Sequence, residues 1–205
     1  QHGERPYRSY PRVSLDSVAN EPILAAALSS NHAGQRTTIR RHYLHAIDRA
    51  QESIYIANAY FVPSRSFLQA LKRAARRGVD VRLLLPSFEH NDVMLAQLAS
   101  QHSYAALMKA GVRIHSWPVS HMHAKTAVID GRWAIVGSYN LDAVSLFQSL
   151  EVVVEIIGEP FGAEMMRMFE RDFDRSIELD LSSWKRRGIS QKLAEPLLFR
   201  FRRLF

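Results

Sequence analysis

Strands and helices alternate between residues 37 and 117, and this alternation restricts the possible fold more than any other feature of the sequence. Residues 53–62, SIYIANAYFV, are rich in β-branched and aromatic side chains and precede Pro63, which indicates a buried strand. Around it the sequence predicts two more strands and three helices, the strands at 79–85 and 112–117 and the helices at 37–51, 65–77 and 91–110. Strands connected through helices at this spacing form a parallel or mixed sheet that the helices cover.

The pattern becomes antiparallel in the second part of the chain. Residues 123–129 and 133–136 are strand-like and flank Asp130-Gly131, a dipeptide typical of a tight hairpin. A further strand is predicted at 151–157, and a helix at 161–177. The predicted fold class is therefore α/β, with a mixed β-sheet flanked by helices.

The composition excludes several classes of protein. The chain is 47% hydrophobic and 23% charged, which suits a globular core rather than a disordered chain. It has no cysteine, so a disulfide framework and a thiolate metal site are excluded. The longest apolar run outside the predicted elements, residues 23–28, is far shorter than the roughly 20 residues of a membrane-spanning helix. Residues 1–34 lack periodicity and are interpreted as a strand around 12–15 plus loop.

Most of the positive charge lies in the C-terminal tail. The net charge is +7, and residues 185–205 contain seven basic side chains and one acid, hence +6. Leucine and phenylalanine are interspersed with these charges, as in basic amphipathic helices that lie on anionic membranes. The alternative is a terminal helix packed on the domain with its charges in solvent. The predicted membrane contacts are Trp184, Lys185, Arg186, Arg187, Arg200, Arg202 and Arg203.

The segment 123–140, HAKTAVIDGRWAIVGSYN, contains the residues best suited to chemistry. His123 and Lys125 are two residues apart in a predicted strand, so their side chains should point to the same side. A neutral imidazole can attack an electrophile or take a proton, and an adjacent ammonium group can neutralise an anion. Ser138 and Asn140 can donate further hydrogen bonds. This combination suits a phosphoryl group, whose transition state spreads negative charge over its oxygens.

Asp130 has a different predicted role. It lies seven residues after His123, which places it on the opposite face of a regular strand, and it begins the turn at Gly131. The spacing therefore predicts a turn residue, or one that supports the site without touching the substrate. A carboxylate that orients a catalytic histidine would then come from elsewhere.

The spacing His-x-Lys-x4-Asp-x6-Gly-Ser-x-Asn, which begins at His123, resembles the signature of the phospholipase D superfamily. The segments IYIANAYFVPS at 54–64, RAARRGVDVRLLLP at 73–86 and GSYNLDAVSL at 137–146 are similar to the C-terminal half of bacterial cardiolipin synthases of the phospholipase D type. Tyr139 and Ser149 depart from that half, where Ser and Asn are more frequent.

The resemblance extends from about Thr37 to the end of the chain. It implies a phospholipase D-like catalytic domain at 37–180, with a linker from a preceding region at 1–36 and the basic amphipathic tail at 181–205.

The resemblance also implies a phosphohistidine mechanism that requires no metal and no cofactor. His123 would be the nucleophile or acid/base, while Lys125, Ser138 and Asn140 would hold the phosphate oxygens. In this family a downstream glutamate orients the histidine, and Glu151 stands at the expected position. Because Asp130 belongs to the signature, the implied catalytic set is His123, Lys125, Asp130 and Glu151.

The implied function is phosphatidyl transfer from phosphatidylglycerol to another phospholipid headgroup, which produces cardiolipin. A phospholipase D or a nuclease-type phosphodiesterase would use the same intermediate with water as the acceptor. A nuclease should spread basic charge around its cleft, whereas this charge is terminal, so nucleic acid is not the expected partner. The intact signature argues against a non-catalytic scaffold. The expected location is peripheral, on the cytoplasmic face of the bacterial cell membrane.

Enzymes of this family carry two copies of the signature, whereas this chain has one. The reaction needs a nucleophile on one side of the phosphorus and an acid on the other. None of the other eight histidines is followed by lysine two positions later. The second histidine is therefore expected from an upstream half of the same protein, which Gln1 at the start of the chain favours, or from an identical chain across a twofold axis.

Three further residues lie near the predicted site. His121 shares the predicted strand face of His123 but lies outside the signature. Asn58 and Tyr60 are near the end of the first predicted strand, where the sites of mixed sheets often gather. All three are interpreted as structural residues.

Overall fold

A computed structural model of the chain describes residues 23–30, 37–87, 94–187 and 199. In chain order its elements are β1 (Leu24–Ser29), α1 (Thr38–Arg49), β2 (Ser53–Asn58), α2 (Arg65–Arg76), β3 (Asp80–Pro86), α3 (Met94–Met108), β4 (Arg113–Trp117), β5 (Lys125–Ile129), β6 (Trp133–Gly137), α4 (Ala143–Phe147), β7 (Val152–Ile157), α5 (Glu159–Asp174), β8 (Ile177–Glu178) and α6 (Leu181–Lys185). The strand predicted at 12–15 and the first residues of the helix predicted at 91–110 lie outside the described residues.

The strands form one mixed sheet in the order β1-β7-β6-β5-β2-β3-β4-β8. The neighbours β2, β3 and β4 are parallel, and the remaining pairs are antiparallel. All six residues of the central strand β2 are buried, as expected for a strand with helices on both faces. The predicted α/β class with a mixed sheet flanked by helices is therefore confirmed.

Helices cover the two faces of the sheet through separate apolar clusters. On one face, α1, α2 and α3 pack through residues that include Ile39, Tyr43, Phe67, Leu71 and Leu107. On the other face, α5 packs through Met165, Phe169 and Phe173. The apolar positions recur at helical spacing along each helix, which is why the sequence pattern predicted α1, α2 and α5 within a few residues.

The strand β1 was not predicted. The sequence interpretation assigned residues 24–29 to a loop, yet they pair with β7 along their whole length, from Leu24 opposite Ile157 to Ser29 opposite Val152. This segment, LAAALS, has neither alternation nor β-branched residues, so its pattern carries no strand signal. It becomes a strand because the edge of β7 offers backbone partners to it.

Gly162 allows α5 to approach the β5–β6 hairpin closely. A Cβ atom at this position would overlap the carbonyl group of Gly131, which lies in the hairpin turn. The backbone N–H of Gly158 also donates to the carbonyl of Arg132 at 2.8 Å, which fixes the start of α5 against the same turn. The turn is a tight one, since both Asp130 and Gly131 have positive φ angles, 51° and 61°.

We expect Gly162→Ala to destabilise the protein. Alanine is favoured over glycine inside a helix by about 1 kcal/mol, yet here its methyl group must displace the hairpin backbone, so the free energy of unfolding should fall by roughly 1–3 kcal/mol. Urea denaturation measures the change, with the neighbouring Ala163→Gly as a control that loses only helix propensity. A Gly162→Ala variant as stable as the natural protein would contradict this packing.

Candidate active site

The signature residues other than Asp130 gather at one end of the sheet, at the carboxyl end of its parallel strands. There β2 ends and β5 begins, with Asn58 paired to Lys125. At the same end β6 stops and β7 starts, with Gly137 opposite Val153. The connection between β6 and β7, which carries most of the second part of the signature, therefore lies next to the start of β5. This is the sheet end where sites of mixed α/β folds commonly form.

A first group of side chains surrounds His123. The strand β5 starts at Lys125, so the predicted strand at 123–129 was wrong for its first two residues, and His123 lies in the connection before it. His123 is exposed, whereas Lys125 is only 7% exposed, and its Nζ donates to the carbonyl oxygen of His123 at 3.1 Å.

Tyr60 contacts both residues of this first group. Its ring centroid lies 5.9 Å from that of the His123 imidazole, in an edge-on arrangement. The Nζ atom of Lys125 lies 5.9 Å from the same ring, within the range of a cation–π contact. His123 and Lys125 therefore do lie on the same side, as predicted, although one precedes the strand and the other begins it.

His121 also belongs to this group, because its ring stacks on that of His123 with centroids 5.8 Å apart and planes at 18°. Both His121 and Tyr60 were interpreted as structural residues, and the structure places both beside the proposed nucleophile. The sequence contained indications of both positions. His121 is two residues before His123, and Tyr60 closely follows the carboxyl end of the central strand.

A second group surrounds Glu151, whose side chain is only 5% exposed. Its carboxylate accepts hydrogen bonds from the hydroxyl of Ser138 and from that of Ser145, the latter at 2.6 Å. The Ser145 hydroxyl also accepts the backbone N–H of Asn140 at 3.1 Å. The structure therefore brings Ser138, Asn140 and Glu151 together, and the orientation of His123 by Glu151 stays a prediction.

The side chain of Asn58 connects the two groups. It is completely buried and belongs to the residue paired with Lys125. Its amide nitrogen donates to the carbonyl of Tyr139 at 3.4 Å, and its amide oxygen accepts the N–H of Leu141 at 3.1 Å. Asn58 thus holds the backbone on both sides of Asn140. Its interpretation as a structural residue is confirmed, since it is fully buried and its polar atoms bond the backbone of the signature loop.

Asp142 adds a second buried carboxyl group beside Glu151. Burial raises the pKa of Asp142 to about 6, and the nearby charge of Glu151 acts in the same direction. Its carboxylate accepts the N–H of Ser145 at 2.7 Å and so caps the short helix α4. The site thus combines a buried cation, Lys125, with two carboxyl groups held by short loops.

Asp130 lies at the other end of β5. Its carboxylate accepts the backbone N–H groups of Gln51, Glu52 and Ser53, each at 2.9 Å. From the rise of an extended strand, its backbone is roughly 16 Å from that of Lys125. The prediction of a turn residue is confirmed. The inclusion of Asp130 in the catalytic set is corrected, since it joins β5 to the start of β2 and lies away from the signature histidine.

The beginning of the tail packs on the domain. The indole of Trp184 stacks on the ring of Tyr104 in α3, with centroids 5.2 Å apart. The guanidinium of Arg187 lies 3.3 Å from the centroid of Trp184 and donates to Gln101 at 2.9 Å. For Trp184 and Arg187 these contacts agree with the alternative interpretation, a terminal helix packed on the domain rather than on a membrane. Lys185 and Arg186 are exposed. The other predicted membrane contacts, Arg200, Arg202 and Arg203, lie outside the described residues.

Neither a metal cluster nor a membrane-spanning helix is found among the residues that the structure describes. In these ranges no group of three or more histidine, aspartate and glutamate side chains could hold a metal ion. Likewise, none of the described helices is both long and apolar enough to cross a membrane.

Sequence comparisons identify relatives with a lipid-synthesis name. The family model described as "Cardiolipin synthase, PLD-like domain" matches residues 43–173. Cardiolipin synthase A of Yersinia pseudotuberculosis serotype O:1b (strain IP 31758) is 34% identical over 163 residues, which are 80% of this chain and 33% of that protein. Cardiolipin synthase A of Yersinia pestis bv. Antiqua (strain Angola) matches to the same extent. The chain thus spans about a third of the length of the curated relatives it matches.

Solved structures share the fold at lower identity. Nuc of Salmonella typhimurium, a phospholipase D family member, superposes with a TM-score of 0.62 at 20% identity, over 77% of this chain and 99% of that one. The phosphatidylserine synthase of Haemophilus influenzae Rd KW20 superposes with a TM-score of 0.68 at 14% identity, over 89% of this chain and 46% of that one. The phospholipase D-like fold predicted from the signature is therefore confirmed.

We expect Asp130→Asn to act on stability rather than on chemistry. An asparagine retains one acceptor oxygen where the carboxylate accepts three backbone N–H groups, so the free energy of unfolding should fall by roughly 1–3 kcal/mol. Thermal unfolding measures the loss, and turnover is measured below the melting range. Glu151→Gln is the contrasting variant, with a large loss of rate and little loss of stability. Equal catalytic losses with unchanged melting for both would contradict the distinction.

Proposed function

We propose that this chain, which belongs to the family of phospholipase D-like domains of cardiolipin synthases, is the catalytic half of a phosphatidyltransferase that forms a phosphohistidine. The observation that supports it most is the convergence of His123, Lys125 and the Ser138–Glu151 pair at one end of the sheet. An exposed imidazole beside a buried cation and a set of hydroxyl and amide donors suits attack on a phosphodiester.

In the first step, a ring nitrogen of His123 attacks the phosphorus of phosphatidylglycerol. A nitrogen–phosphorus bond forms, the bond from phosphorus to the glycerol oxygen breaks, and an acid protonates the leaving alkoxide. Lys125, Ser138 and Asn140 would hold the phosphoryl oxygens as negative charge develops on them. Glu151 would stabilise the histidine in the form that reacts.

In the second step, a hydroxyl group of another phosphatidylglycerol attacks the phosphohistidine. The new oxygen–phosphorus bond replaces the nitrogen–phosphorus bond, the hydroxyl proton leaves to a base, and cardiolipin is released. Water in place of this hydroxyl would yield phosphatidic acid, the result expected of a phospholipase D. The two acceptors share one intermediate, so the products distinguish them.

The acid of the first step would come from a second signature-bearing half, supplied by another region of the same protein or by an identical chain. We propose that this half covers an apolar sheet face formed by Val136, Val152 and Val154, which are exposed beside the site. Val136 lies directly opposite Val154, and it follows Ala134, which α5 covers on the same face. The apolar surface therefore continues past the edge of α5 toward the signature loop. The curated relatives, of which this chain spans about a third, have the length to carry a second such domain.

The proposed location is peripheral, on the cytoplasmic face of the bacterial cell membrane. The exposed side chains Lys185 and Arg186 lie at the start of a basic tail that would lower the free energy of binding to anionic lipids. Trp184 is already packed on Tyr104, so the membrane contact proposed for this segment rests on its charged residues.

We expect His123→Asn to abolish phosphatidyl transfer while the protein stays folded. The intact protein is incubated with phosphatidylglycerol labelled in its glycerol headgroup, and the products are identified by mass spectrometry. Cardiolipin and free labelled glycerol from the natural protein support transfer, and phosphatidic acid would indicate hydrolysis. His102→Asn, at a histidine of α3, is the matched control and should retain full activity. If the His123→Asn variant retained a substantial fraction of the natural activity, His123 would be excluded as the nucleophile.

We expect substitution of the apolar sheet face to separate the two halves. Val154→Arg should lower turnover strongly and, where the second half is an identical chain, convert a dimer to a monomer in light scattering. Ile177→Arg is the control, at an apolar residue of the edge strand β8 that is more exposed than Val154, 58% against 40%. A monomer of this chain alone with full activity would defeat the proposal of a second half. An effect on vesicle binding without loss of assembly would indicate that the face contacts lipid instead.

A further inference from the structure

Ser145 carries a buried hydroxyl beside the site, and the signature does not include it. Its side chain is 2% exposed. A hydroxyl has one proton to donate and lone pairs to accept with, and here both are used. The hydroxyl donates to the Glu151 carboxylate at 2.6 Å and accepts the backbone N–H of Asn140 at 3.1 Å. Its own backbone N–H donates to Asp142 at 2.7 Å.

These bonds couple the two ends of the connection between β6 and β7, both of which belong to the proposed machinery. Asn140 lies just after β6, and Glu151 lies just before β7. One oxygen of Glu151 is held by Ser138 and the other by Ser145, so the plane of the carboxylate is set from both sides. Since Ser145 also holds the backbone of Asn140, a shift of its hydroxyl would move both residues.

We propose that Ser145 is a positioning residue, whose hydroxyl holds the Glu151 carboxylate and the Asn140 backbone in the arrangement that binds and activates the phosphodiester. The catalytic consequence rests on the proposed function, whereas the effect on Glu151 does not. Without the hydroxyl, a buried carboxylate oxygen and a backbone N–H both lose a partner, which makes the charged carboxylate less favourable.

The charges around this hydroxyl act in a consistent direction. Asp142 and Glu151 face it from the two ends of the loop, and Arg40 of α1 lies near Tyr139 and Asp142. The pKa of Asp142 is already raised by burial and is lowered in part by its bonds to Ser145. Loss of the Ser145 hydroxyl therefore favours protonation of both carboxyl groups, and the acidic limb of the pH–rate profile should move to higher pH.

The test compares Ser145→Ala, Ser145→Cys and Ser145→Thr in the intact protein. Ser145→Ala removes the hydroxyl, Ser145→Cys replaces it by a weak donor of similar size, and Ser145→Thr keeps it. The first two should lower kcat about 10- to 100-fold with KM changed by less than about twofold, because the reacting groups are misplaced rather than removed. Ser145→Thr should recover most of the rate. Ser103→Ala, which removes another buried serine hydroxyl from α3, should leave kcat unchanged.

A second measurement does not depend on turnover. The side-chain carboxyl carbon of Glu151 is titrated by NMR, with the signal assigned through Glu151→Gln. In Ser145→Ala or Ser145→Cys its titration should move up by about one pH unit, the loss expected for a charged hydrogen bond. A purely structural role would lower the rate at every pH without this movement.

The outcomes separate the positioning role from the proposed function. An unmoved Glu151 titration in both Ser145→Ala and Ser145→Cys overturns the positioning role, whatever the rates are. Rates of both variants equal to that of Ser103→Ala overturn it as well. If the natural protein does not convert phosphatidylglycerol, the proposed function fails, and the titration still decides whether Ser145 holds Glu151. If Ser145→Ala does not fold, Ser145→Cys carries the comparison.

Discussion

The antiparallel pairing of β5 with β2 is the constraint on which the site depends. It joins the parallel part of the sheet to its antiparallel part, and it places Asn58 opposite Lys125 at the carboxyl end of β2. The fully buried amide of Asn58 then bonds the backbone on both sides of Asn140, so the loop after β6 is held against the residues before β5. The β5–β6 hairpin already brings the two parts of the signature side by side, with Thr126 opposite Val136, and the pairing with β2 adds the Asn58 amide that fixes the loop after β6. A buried amide with both polar groups bonded is also costly to misplace, which makes the register specific.

The two ends of β5 have different roles, one structural and one proposed to be catalytic. At one end Asp130 accepts three backbone N–H groups and fixes the hairpin to the start of β2. At the other end Lys125, His123 and Tyr60 are in contact. A single short motif therefore contains a residue that holds the strand in place and, at the opposite end of the strand, the residues for which we propose a catalytic role. Proximity in a motif does not imply proximity in space, because a strand separates its ends by roughly 3.3 Å per residue.

Buried polar groups around Glu151 distinguish this site from a loose cluster of surface residues. Ser138, Ser145 and Glu151 are connected by hydrogen bonds, and the carboxylate of Asp142 accepts the backbone N–H of Ser145. Ser145, Asp142 and Glu151 are buried and would be unfavourable without a partner, so the network allows few alternative arrangements, whereas Ser138 lies at its exposed edge. The buried ammonium group of Lys125 belongs to the other group of the site, where it donates to the carbonyl oxygen of His123. The exposed imidazole of His123 is the part left open to solvent, where a lipid headgroup or a second half would approach.

The sequence alone determined the fold class, most of the elements and the set of residues in the signature. The spacing of apolar residues and the residues that end a helix are local properties of the sequence. For this reason α2 and its terminal Gly78 were predicted closely, and Asp130 was recognised as a turn residue. Tertiary structure alone decided the role of Asn58, the contacts of Tyr60 and His121 with His123, and the link from Ser145 to Glu151. It also decided that residues 24–29 form a strand, since small residues without alternation become a strand only beside a partner edge. The bonds of Asn58, the contact of Tyr60 with His123 and the pairing of β1 depend on residues that the sheet brings together from distant positions. The contacts of His121 with His123 and of Ser145 with Glu151 are close in sequence but depend on the course of irregular loops, which no periodic pattern records.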